Sequence, residues 1–507
     1  VETQNYIDDT GVQVADVVVG FQRILGEDAE AVVRRIEAED PPFDYFCWDL
    51  YASVAKLYEE NPEAKQWRLD TLHEIESQEG PTAELGAMIA DAIVKRHVQT
   101  MARLDIQYDV LTEESDIIKH RFWQNAFELL KQSGAVVRET EGKNAGCWMM
   151  RLSESPEFAG LEDPDKVIVR SNGTVTYVGK DIAYQLWKFG LLDRSFGYRK
   201  FMTYPDGHVL WQSTSDDDAN PSAPAFGNAD RVYNVIDNRQ SYLQKIVREG
   251  LRLLGHEKEA DSSIHFAYEM VALSPETAKS LGVEVSEDDQ EKAVLEMSGR
   301  KGLGIKADDL LDKLEAKAAE AVKVGLSEER AAGMTEDDLR DLGDQIAVGA
   351  LRYFMLKFGR NRVIAFDMEE ALTFEGDSGP YLQYSTVRAQ NIFRKLDERG
   401  VSSGLGEYER DQLTIGEPVN DEIWEIVRHA STTSGVVRRA VDTLELSMIT
   451  HHALELCQKF NSFYHKYPIL NEVDSAERRR RAACASIFLD TMKGITGLLG
   501  IVVPQRM

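Results

Sequence analysis

Residues 167–192 read VIVRSNGTVTYVGKDIAYQLWKFGLL, and this stretch sets the predicted fold class. Apolar and β-branched residues stand on both sides of the turn formers at 171–173, which predicts a β-hairpin whose second strand covers 174–178. The apolar residues then recur with the helical period, so an amphipathic helix is predicted over 182–192. A strand pair that leads into a helix indicates an α/β domain.

The rest of the chain divides into regions of different period. A second strand at 231–237 and a helix at 241–254 repeat the strand-then-helix unit. Residues 21–130 are predicted to be helical, with long amphipathic stretches. After Gly304 the chain is again predicted to be helical, with a glycine-rich polar break at 400–406. The pattern predicts an α/β region followed by an all-α domain.

Three segments are predicted as connections or ends. Residues 4–11 are rich in turn formers, and the apolar run at 12–19 fits either a helix or a strand. Residues 327–345 form an acidic connector. Residues 366–384 contain too many turn formers for an ordinary helix interior, so a shaped connection is predicted there.

The charge balance limits the possible partners. The 507 residues include 87 Asp and Glu against 58 Lys and Arg, a net charge of −29, which excludes a basic coat for nucleic acid. Residues 451–507 are the exception, with eight Lys or Arg against five Asp or Glu. This basic tail, which includes Lys459, Lys466 and the run Arg478 to Arg481, suits contact with phosphates. The alternative is a solvated helix face.

Cysteine usage and hydropathy indicate the compartment. Four cysteines, Cys47, Cys147, Cys457 and Cys484, form no C-x-x-C pair, which argues against a disulfide framework or a structural zinc site. We find no run of about 20 consecutive apolar residues and no amino-terminal targeting signal. A soluble protein of the reducing cytoplasm, without membrane contact, is predicted.

A glycine-rich loop is a candidate for phosphate chemistry. Residues 297–304 place Arg300 and Lys301 among three glycines, just before a predicted amphipathic helix. Glycines let the backbone approach an anion, and the two cations can offset the charge that develops as pyrophosphate departs. The loop lacks the Walker A pattern. The alternative is a flexible surface turn.

Tyr177 and Asp181 are candidates for ligand binding. They stand four residues apart at a strand-to-helix junction, which is where open α/β sheets bind ligands. An aromatic wall beside a carboxylate suits a guanidinium or an ammonium group. The alternative is that Asp181 caps its helix and Tyr177 packs in the sheet.

The ten histidines give no support to hydrolytic chemistry. None stands in a His-x-Gly-His or H-E-x-x-H motif or in a nucleophilic triad spacing. Metalloprotease and hydrolase functions therefore lack support, and no metal site is predicted.

Five motifs stand in order along nearly the whole chain. They read QNYIDDTG at 4–11, YVGKDIAY at 177–184, MSGRKG at 297–302, EGDSGPYLQY at 375–384 and LLGIVVPQRM at 498–507. Together they resemble the arginyl-tRNA synthetase family. Any one of them could be accidental, whereas the ordered set is highly specific.

The resemblance implies a class I synthetase that joins arginine to its tRNA through arginyl-adenylate, using ATP with Mg²⁺. Its catalytic domain would be of the Rossmann type. By the same resemblance, Met297, Ser298, Arg300 and Lys301 form the counterpart of the class I KMSKS loop. The loop departs from the letter pattern, since Glu296 stands where the first lysine would be.

The resemblance also implies the substrate contacts. Tyr177, Asp181 and Gln240 match arginine-binding positions, with the Asp181 carboxylate pairing with the guanidinium. The stretch containing His265, Met270 and Val271 resembles the lining of the adenine pocket.

Six residues of the helical region are implied as tRNA contacts. They are Tyr381, Gln383, Tyr384, Arg388, Tyr464 and Met507. Many family members have Ala-His-Ala-Arg after the Gly-Pro-Tyr-x-Gln-Tyr run. Here residues 385–388 keep the arginine and lose the histidine.

The predicted domains follow from the resemblance. Residues 1–345 form the catalytic region, with the helical segment at about 21–130. Residues 346–507 form the helical stem-contact and anticodon-binding domain, with its core at about 380–507. In the family, a His-x-Gly-His motif and a further tRNA-contacting domain lie upstream of the segment that here begins at Gln4. The chain alone is therefore expected to be weakly active or inactive.

Two alternatives remain at this stage. One is an inactive fragment or paralogue that binds tRNA through residues 380–507. The other is a different class I synthetase, which is disfavoured by Tyr177 with Asp181 and by the lack of an editing-sized insertion. The expected partners are L-arginine and its tRNA, and a monomer is favoured.

Overall fold

The computed structural model describes most of the chain as two separate units. The described residues are 1–38, 40–119, 122–153, 155–158, 160, 164–215, 219–283, 285, 294–295, 305–325, 334–401 and 421–507. The first unit is Val1–Tyr268, and the second contains the described residues after Tyr268.

Nine strands are formed by the residues described in the first unit. They are β1 (Gln4–Ile7), β2 (Val110–Glu113), β3 (Val136–Arg138), β4 (Trp148–Met150), β5 (Lys166–Val169), β6 (Gly197–Thr203), β7 (Val209–Thr214), β8 (Val232–Asp237) and β9 (Ser263–Tyr268). The main sheet has the order β1-β2-β7-β6, with β1, β2 and β7 parallel and β6 antiparallel to β7. A parallel pair, β8 and β9, and an antiparallel sheet, β3-β4-β5, complete the unit.

Ten α-helices belong to the described part of the first unit. They are α1 (Val12–Val19), α2 (Ala29–Glu37), α3 (Phe43–Glu60), α4 (Lys65–Ser77), α5 (Pro81–Arg103), α6 (Glu114–Lys119), α7 (Phe122–Gln132), α8 (Tyr177–Lys188), α9 (Ser241–Leu253) and α10 (Glu257–Ser262). Helices α1 to α5 form the crossover between the parallel strands β1 and β2, and they have a hydrophobic core of their own. Helix α8 packs between α7 and α9.

The prediction of a hairpin at 167–178 is wrong for the second strand. The turn forms, and Val169 pairs with Val175, but α8 begins at Tyr177. The Thr176 hydroxyl donates to the Val167 and Ile168 carbonyls at 3.0 and 3.1 Å, which turns the chain out of the sheet. Close packing of α8 on the Trp123 ring favours the helix here. Gly179 permits this packing, because a Cβ at that position would lie only 2.7 Å from the ring.

Two further predictions for the first unit are wrong. Residues 4–7 form the strand β1 rather than a turn, and the predicted helical segment at 21–130 contains the strand β2. Both strands have only four residues, so their identity depends on pairing with distant partners in the sheet. The predicted strand at 231–237 and helix at 241–254 are confirmed within one residue at each end.

The second unit is almost entirely helical over the residues that the structure describes. Within these residues its strands are β10 (Val271–Leu273) and β11 (Ile364–Phe366), which form a parallel pair. Its described helices are α11 (Pro275–Ser280), α12 (Ala307–Gly325), α13 (Glu336–Leu356), α14 (Met368–Ala371), α15 (Gly379–Glu398), α16 (Asp421–Ser431), α17 (Thr433–Thr443), α18 (Ser447–Lys466) and α19 (Ser475–Leu499).

The connection predicted at 366–384 is shorter than expected. Helix α15 begins at Gly379, with the Ser378 hydroxyl capping it by accepting from the Tyr381 amide at 3.2 Å. A Cβ at Gly379 would lie 2.4 Å from the Gly349 carbonyl oxygen, so the two helices α13 and α15 cross in close contact. The predicted acidic connector likewise ends early, because α13 begins at Glu336.

Helices α15, α16, α18 and α19 enclose the largest core of the second unit. In it the rings of Phe460 and Phe488 stack with their centroids 3.9 Å apart. Helix α19 is long and apolar enough to cross a membrane by length and composition, but 61% of its apolar stretch is buried. Such burial is what the central helix of a helical bundle shows.

The division into two units differs from the predicted functional boundary at residue 345. That residue lies inside α13, so a boundary there would cut a helix. The units separate instead after Tyr268. The assignment of functions to residues 1–345 and 346–507 stays a prediction.

Candidate active site

One face of α8 carries a row of polar and aromatic side chains. Tyr177, Asp181, Tyr184 and Lys188 stand at positions i, i+4, i+7 and i+11, which share one side of a helix. Tyr177 begins the helix and is 69% exposed, whereas Asp181 and Lys188 are mostly buried and Tyr184 is buried. The row therefore runs from an exposed aromatic edge into the interior. This corrects the prediction that Asp181 follows a strand.

Asp181 is a carboxylate in an environment that opposes its charge. Burial raises the pKa of Asp181 to about 7, the charge of Glu114 acts in the same direction, and Lys188 and Lys180 act against it. The group therefore titrates near neutral pH when no further cation is present. A bound cation would restore the carboxylate form.

Glu114 joins three elements beside Asp181. It begins α6 directly after β2, and its carboxylate accepts from the Tyr6 hydroxyl at 2.5 Å, the Thr10 hydroxyl at 2.8 Å and the Lys180 ammonium at 2.5 Å. Burial alone would raise the pKa of Glu114, but Lys180 and the hydrogen bonds more than offset burial, so the pKa lies below its usual value. The Glu114 side chain is therefore ionised and holds Tyr6, Thr10 and Lys180 together.

Strand β1 packs directly on the same helix face. The Tyr184 hydroxyl donates to the Gln4 side chain at 2.8 Å, and the Tyr6 and Tyr184 rings lie with their centroids 5.3 Å apart. Burial, together with the charge of Glu114, raises the pKa of Tyr6, so its hydroxyl stays protonated and donating. The motif at 4–11 therefore contacts the motif at 177–184.

Two other predicted site residues lie on β8 and β9. Gln240 ends the exposed turn Asn238–Gln240 that follows β8. The His265 ring on β9 donates from Nε2 to the Ile236 carbonyl at 2.9 Å. His265 is therefore held to the backbone of the neighbouring strand.

The remaining nucleotide-site predictions fall elsewhere. Met270 and Val271 belong to the second unit, where Val271 begins β10 and is 46% exposed. The loop residues Met297, Ser298, Arg300 and Lys301 lie outside the described residues. Their predicted role stays a prediction.

A polar cavity of about 130 Å³ opens at the carboxyl ends of β1, β2 and β7. Its lining includes Asp9, Asp91, Glu113, Asp116 and Arg199. Burial and the nearby carboxylates raise the pKa of Glu113 to about 9, so its carboxyl group is protonated at neutral pH. In the described part of the chain, no group of three or more His, Cys, Asp or Glu suits a metal ion.

In the second unit, four of the predicted tRNA contacts surround Asn461. The Arg388 guanidinium lies over the Tyr384 ring at 4.8 Å and the Tyr464 ring at 5.4 Å, and it donates to Asn461 Oδ1 at 2.6 Å. Asn461 Nδ2 in turn donates to the Tyr381 hydroxyl at 3.0 Å. The structure thus brings these four candidates together.

Gln383 does not suit a direct contact with RNA. Its side chain is fully buried, and its amide nitrogen donates to the Gln345 and Val502 carbonyls at 2.9 and 2.7 Å. Gln383 therefore ties the carboxyl-terminal segment to α13, and its role as a tRNA contact stays a prediction. Met507 also packs partly against a core, the one that contains Phe354 and Phe366.

The basic tail has many internal partners. Lys459 pairs with Glu425 at 3.2 Å, and Lys466 pairs with Glu422 at 2.8 Å. Arg481 pairs with Glu472 at 2.7 Å. These contacts favour the solvated helix face for much of the tail.

Comparison with known proteins identifies the family. A model of the DALR anticodon binding domain matches residues 382–507. The arginine–tRNA ligase of Thermococcus sibiricus is 32% identical over 516 residues, which cover all of this chain and 74% of that protein. The ligase of Deinococcus radiodurans is 32% identical and is covered to 76% of its length. The chain belongs to the arginyl-tRNA synthetase family.

The solved structures agree with this assignment. The arginyl-tRNA synthetase of Thermus thermophilus superimposes with a TM-score of 0.78 and 29% identity, over 99% of this chain and 75% of that one. The predicted fold class, a class I α/β catalytic domain followed by a helical anticodon-binding domain, is confirmed. The synthetase is an arginine–tRNA ligase, and the alternative of a chain that only binds tRNA is not favoured.

Sequence reasoning on this arginyl-tRNA synthetase missed Glu114. A signal was present, because Glu113 ends β2 and Glu114 directly follows it, where the carboxyl end of a parallel strand reaches the ligand crevice. The signal was lost because β2 was predicted to be part of a helical segment.

Proposed function

We propose that this synthetase binds the guanidinium of arginine at the amino-terminal end of α8, between Asp181 and the Tyr177 ring. The main support is the mostly buried Asp181 carboxylate one helical turn from the exposed Tyr177. A carboxylate that has lost hydration gains most from a planar cation that offers two parallel N–H groups. Arginine then returns the Asp181 pKa from about 7 toward its ordinary value.

Glu114 and Gln240 have supporting roles in this proposal. Glu114 acts as a positioning residue, because it holds Lys180 and so fixes the turn of α8 that carries Asp181. Gln240 provides a third contact to arginine from the turn after β8. The two carboxylates Asp181 and Glu114 are balanced by Lys180 and Lys188, so a neutral set of side chains receives the cationic substrate.

The family uses ATP as a substrate, generally with Mg²⁺. In this proposal His265 of the first unit contributes to the adenine side of the ATP site, while the roles of Met270 and Val271 in the second unit stay predictions. The cations of the loop Met297, Ser298, Arg300 and Lys301 stabilise the charge on the departing pyrophosphate.

Arginine activation and transfer follow in two steps. The arginine carboxylate attacks the α-phosphate of ATP, pyrophosphate leaves, and a terminal ribose hydroxyl of the tRNA then accepts the arginyl group. Asp181 and Tyr177 contribute by fixing the far end of the substrate, which orients its carboxylate toward the phosphate. The guanidinium remains protonated throughout.

The second unit binds tRNA in this proposal through the cluster of Tyr381, Tyr384, Arg388 and Tyr464. Arg388 lies against both the Tyr384 and the Tyr464 rings, so the cluster combines aromatic rings on which a base can stack with a positive charge that a phosphate can bind. The enzyme is expected to be a monomer in the cytoplasm.

Amino-acid-dependent exchange of pyrophosphate into ATP tests the proposal. The assay uses the complete gene product with tRNA present and compares L-arginine, L-lysine and L-citrulline. We expect exchange with arginine alone, because lysine cannot form two parallel hydrogen bonds and citrulline lacks the charge. Equal exchange with lysine or citrulline would contradict a carboxylate-based site.

A further inference from the structure

A network of polar side chains lies in the interior beneath the arginine site. Lys188 Nζ donates to Asn234 Oδ1 at 2.9 Å. Asn234 Nδ2 donates to the side-chain oxygens of Gln185 at 3.3 Å and Gln244 at 3.1 Å. Gln185 Nε2 donates to the Ser263 hydroxyl at 3.0 Å. The network joins α8, β8, α9 and β9.

Such a network is costly unless its members are paired. Gln185, Asn234 and Ser263 are all less than one tenth exposed. A buried polar group without a partner loses the free energy of hydration, so each of these hydrogen bonds constrains the elements that contribute to it. The network thereby fixes the rotation of α8 relative to β8, the strand that leads to Gln240.

Lys188 is the charged member of the network. In the described part of the chain, Asn234 is its hydrogen-bond acceptor, and the ammonium lies 4.3 Å from the centroid of the Tyr184 ring. An ammonium has three donors, so this environment leaves its charge incompletely compensated. Burial lowers the pKa of Lys188 to about 8, and the charge of Asp181 opposes that shift.

The position of Lys188 directs this charge toward Asp181. The two residues stand seven apart, on the same face of α8, and side chains of a helix lean toward its amino terminus. Tyr184 lies between them in the row and contacts the ammonium with its ring. The ammonium therefore acts on Asp181 through its charge from the interior end of the row, and Tyr177 stands at the exposed end.

We propose that Lys188 is a positioning residue for arginine binding: held by Asn234 and the Tyr184 ring, it keeps a fixed positive charge behind Asp181 and aligns α8 with β8. This inference rests on the proposed arginine site. The fixed charge holds the pKa of Asp181 lower than burial alone would, so a larger fraction of Asp181 is already a carboxylate when arginine arrives.

The other groups that face Asp181 determine the expected pH dependence. Lys180 lies on the same helix, Glu114 on α6 and Tyr6 on β1, while the side chains from β8 and α9 in the network are neutral amides. Without the Lys188 charge, the pKa of Asp181 rises further, so arginine binding weakens near neutral pH. At higher pH Asp181 ionises even without the Lys188 charge, so the variant and the wild type should bind arginine equally well.

The test is the Michaelis constant for arginine in tRNA arginylation by the complete gene product, from about pH 6.5 to about pH 9. The variants are Lys188→Met and Lys188→Arg, with Lys200→Met as a matched control at an exposed position on β6. For Lys188→Met we expect the constant to rise about fivefold near pH 7, because the ionised fraction of Asp181 falls from about one half to about one tenth, and to approach wild type near pH 9. Lys188→Arg should restore most of the affinity, and the Michaelis constant for ATP should stay unchanged.

Thermal unfolding checks that the variants fold, and Lys188→Gln replaces Lys188→Met if the latter does not. An unchanged constant for arginine, or an increase equal at all pH values, would overturn the role of the charge. Asp181→Asn, measured in parallel, distinguishes a failure of the role of Lys188 from a failure of the proposed arginine site. If Asp181→Asn raises the constant and Lys188→Met does not, this inference alone fails. If neither variant changes it, the proposed arginine site fails as well.

Discussion

The Glu114 carboxylate accepts a hydrogen bond from the ammonium of Lys180 at 2.5 Å, and both side chains are only 14% exposed. This ion pair joins the carboxyl end of β2 to the helix that carries Asp181. Because Glu114 also accepts from Tyr6 and Thr10, one carboxylate aligns two of the sequence motifs.

Replacing Glu114 should therefore disturb both stability and arginine binding. Glu114→Gln leaves Lys180 as a buried cation without its partner, which costs roughly 3 kcal/mol of unfolding free energy. We also expect a clear rise in the Michaelis constant for arginine. Chemical denaturation and steady-state arginylation measure the two effects. Glu128→Gln, in a more exposed pair on α7, is the control and should change neither.

For Glu113, the neighbour of Glu114, replacement by glutamine should stabilise the folded protein at high pH. Burial raises its pKa from 4.5 to about 9, so the folded state binds a proton that the unfolded state releases across this range. Its contribution to stability is therefore present below about pH 4.5 and is lost as the pH rises toward 9. Glu113→Gln mimics the protonated form. The variant should unfold at a higher temperature than wild type at pH 8 and at the same temperature at pH 5. An equal difference in unfolding temperature at both pH values would argue against a protonated Glu113.

Tyr384 should matter for tRNA through its ring. Tyr384→Ala removes one of the two rings that hold Arg388, and we expect tRNA affinity to fall by about 1–3 kcal/mol. Tyr384→Phe keeps the ring and is the matched control, so it should stay close to wild type. Binding titrations at several salt concentrations measure both variants. Wild-type affinity should fall steeply with salt, and a flat dependence would exclude a phosphate-led contact.

Gln383 should affect folding without affecting tRNA directly. Gln383→Ala removes the donor to the Val502 carbonyl and should lower the unfolding free energy by about 1–3 kcal/mol. Gln390→Ala, a less buried position on the same helix, serves as the control. If Gln383→Ala weakened tRNA binding under conditions in which the protein remained folded, the structural role assigned to Gln383 would be incomplete.

Much of the helical fold could be predicted from the sequence because its signals are local. The predicted helix at 241–254 has a strongly amphipathic pattern, and the structure forms it at Ser241–Leu253. The strands β1 and β2 could not be predicted in this way, since four residues carry little periodicity and their pairing spans about a hundred positions of the chain. The start of α8 was missed because the β-branched residues around Val175 favour a strand locally, while packing of Gly179 on Trp123 favours the helix.

The candidate site could be predicted in part, because part of its signal is also local in the sequence. Tyr177 and Asp181 have helical spacing, so their proximity is visible in the sequence. Glu114 and Lys188 were not predicted. The placing of Glu114 depends on the position of β2, and that of Lys188 on a network that four separate elements complete. The burial of Gln383 could not be predicted either, because a motif does not reveal which of its side chains is buried.

The most direct test of the account is steady-state arginylation by Asp181→Asn and Tyr177→Phe at fixed ATP and tRNA, in the complete gene product. Asp181→Asn keeps the shape of the side chain and removes its charge, so we expect arginine binding to weaken by roughly 2 kcal/mol or more. Tyr177→Phe loses one hydroxyl, retains the ring and should cost less. If Asp181→Asn left both the Michaelis constant for arginine and the turnover number near wild type, Asp181 would have only a structural role in α8, and the proposed arginine site would be wrong.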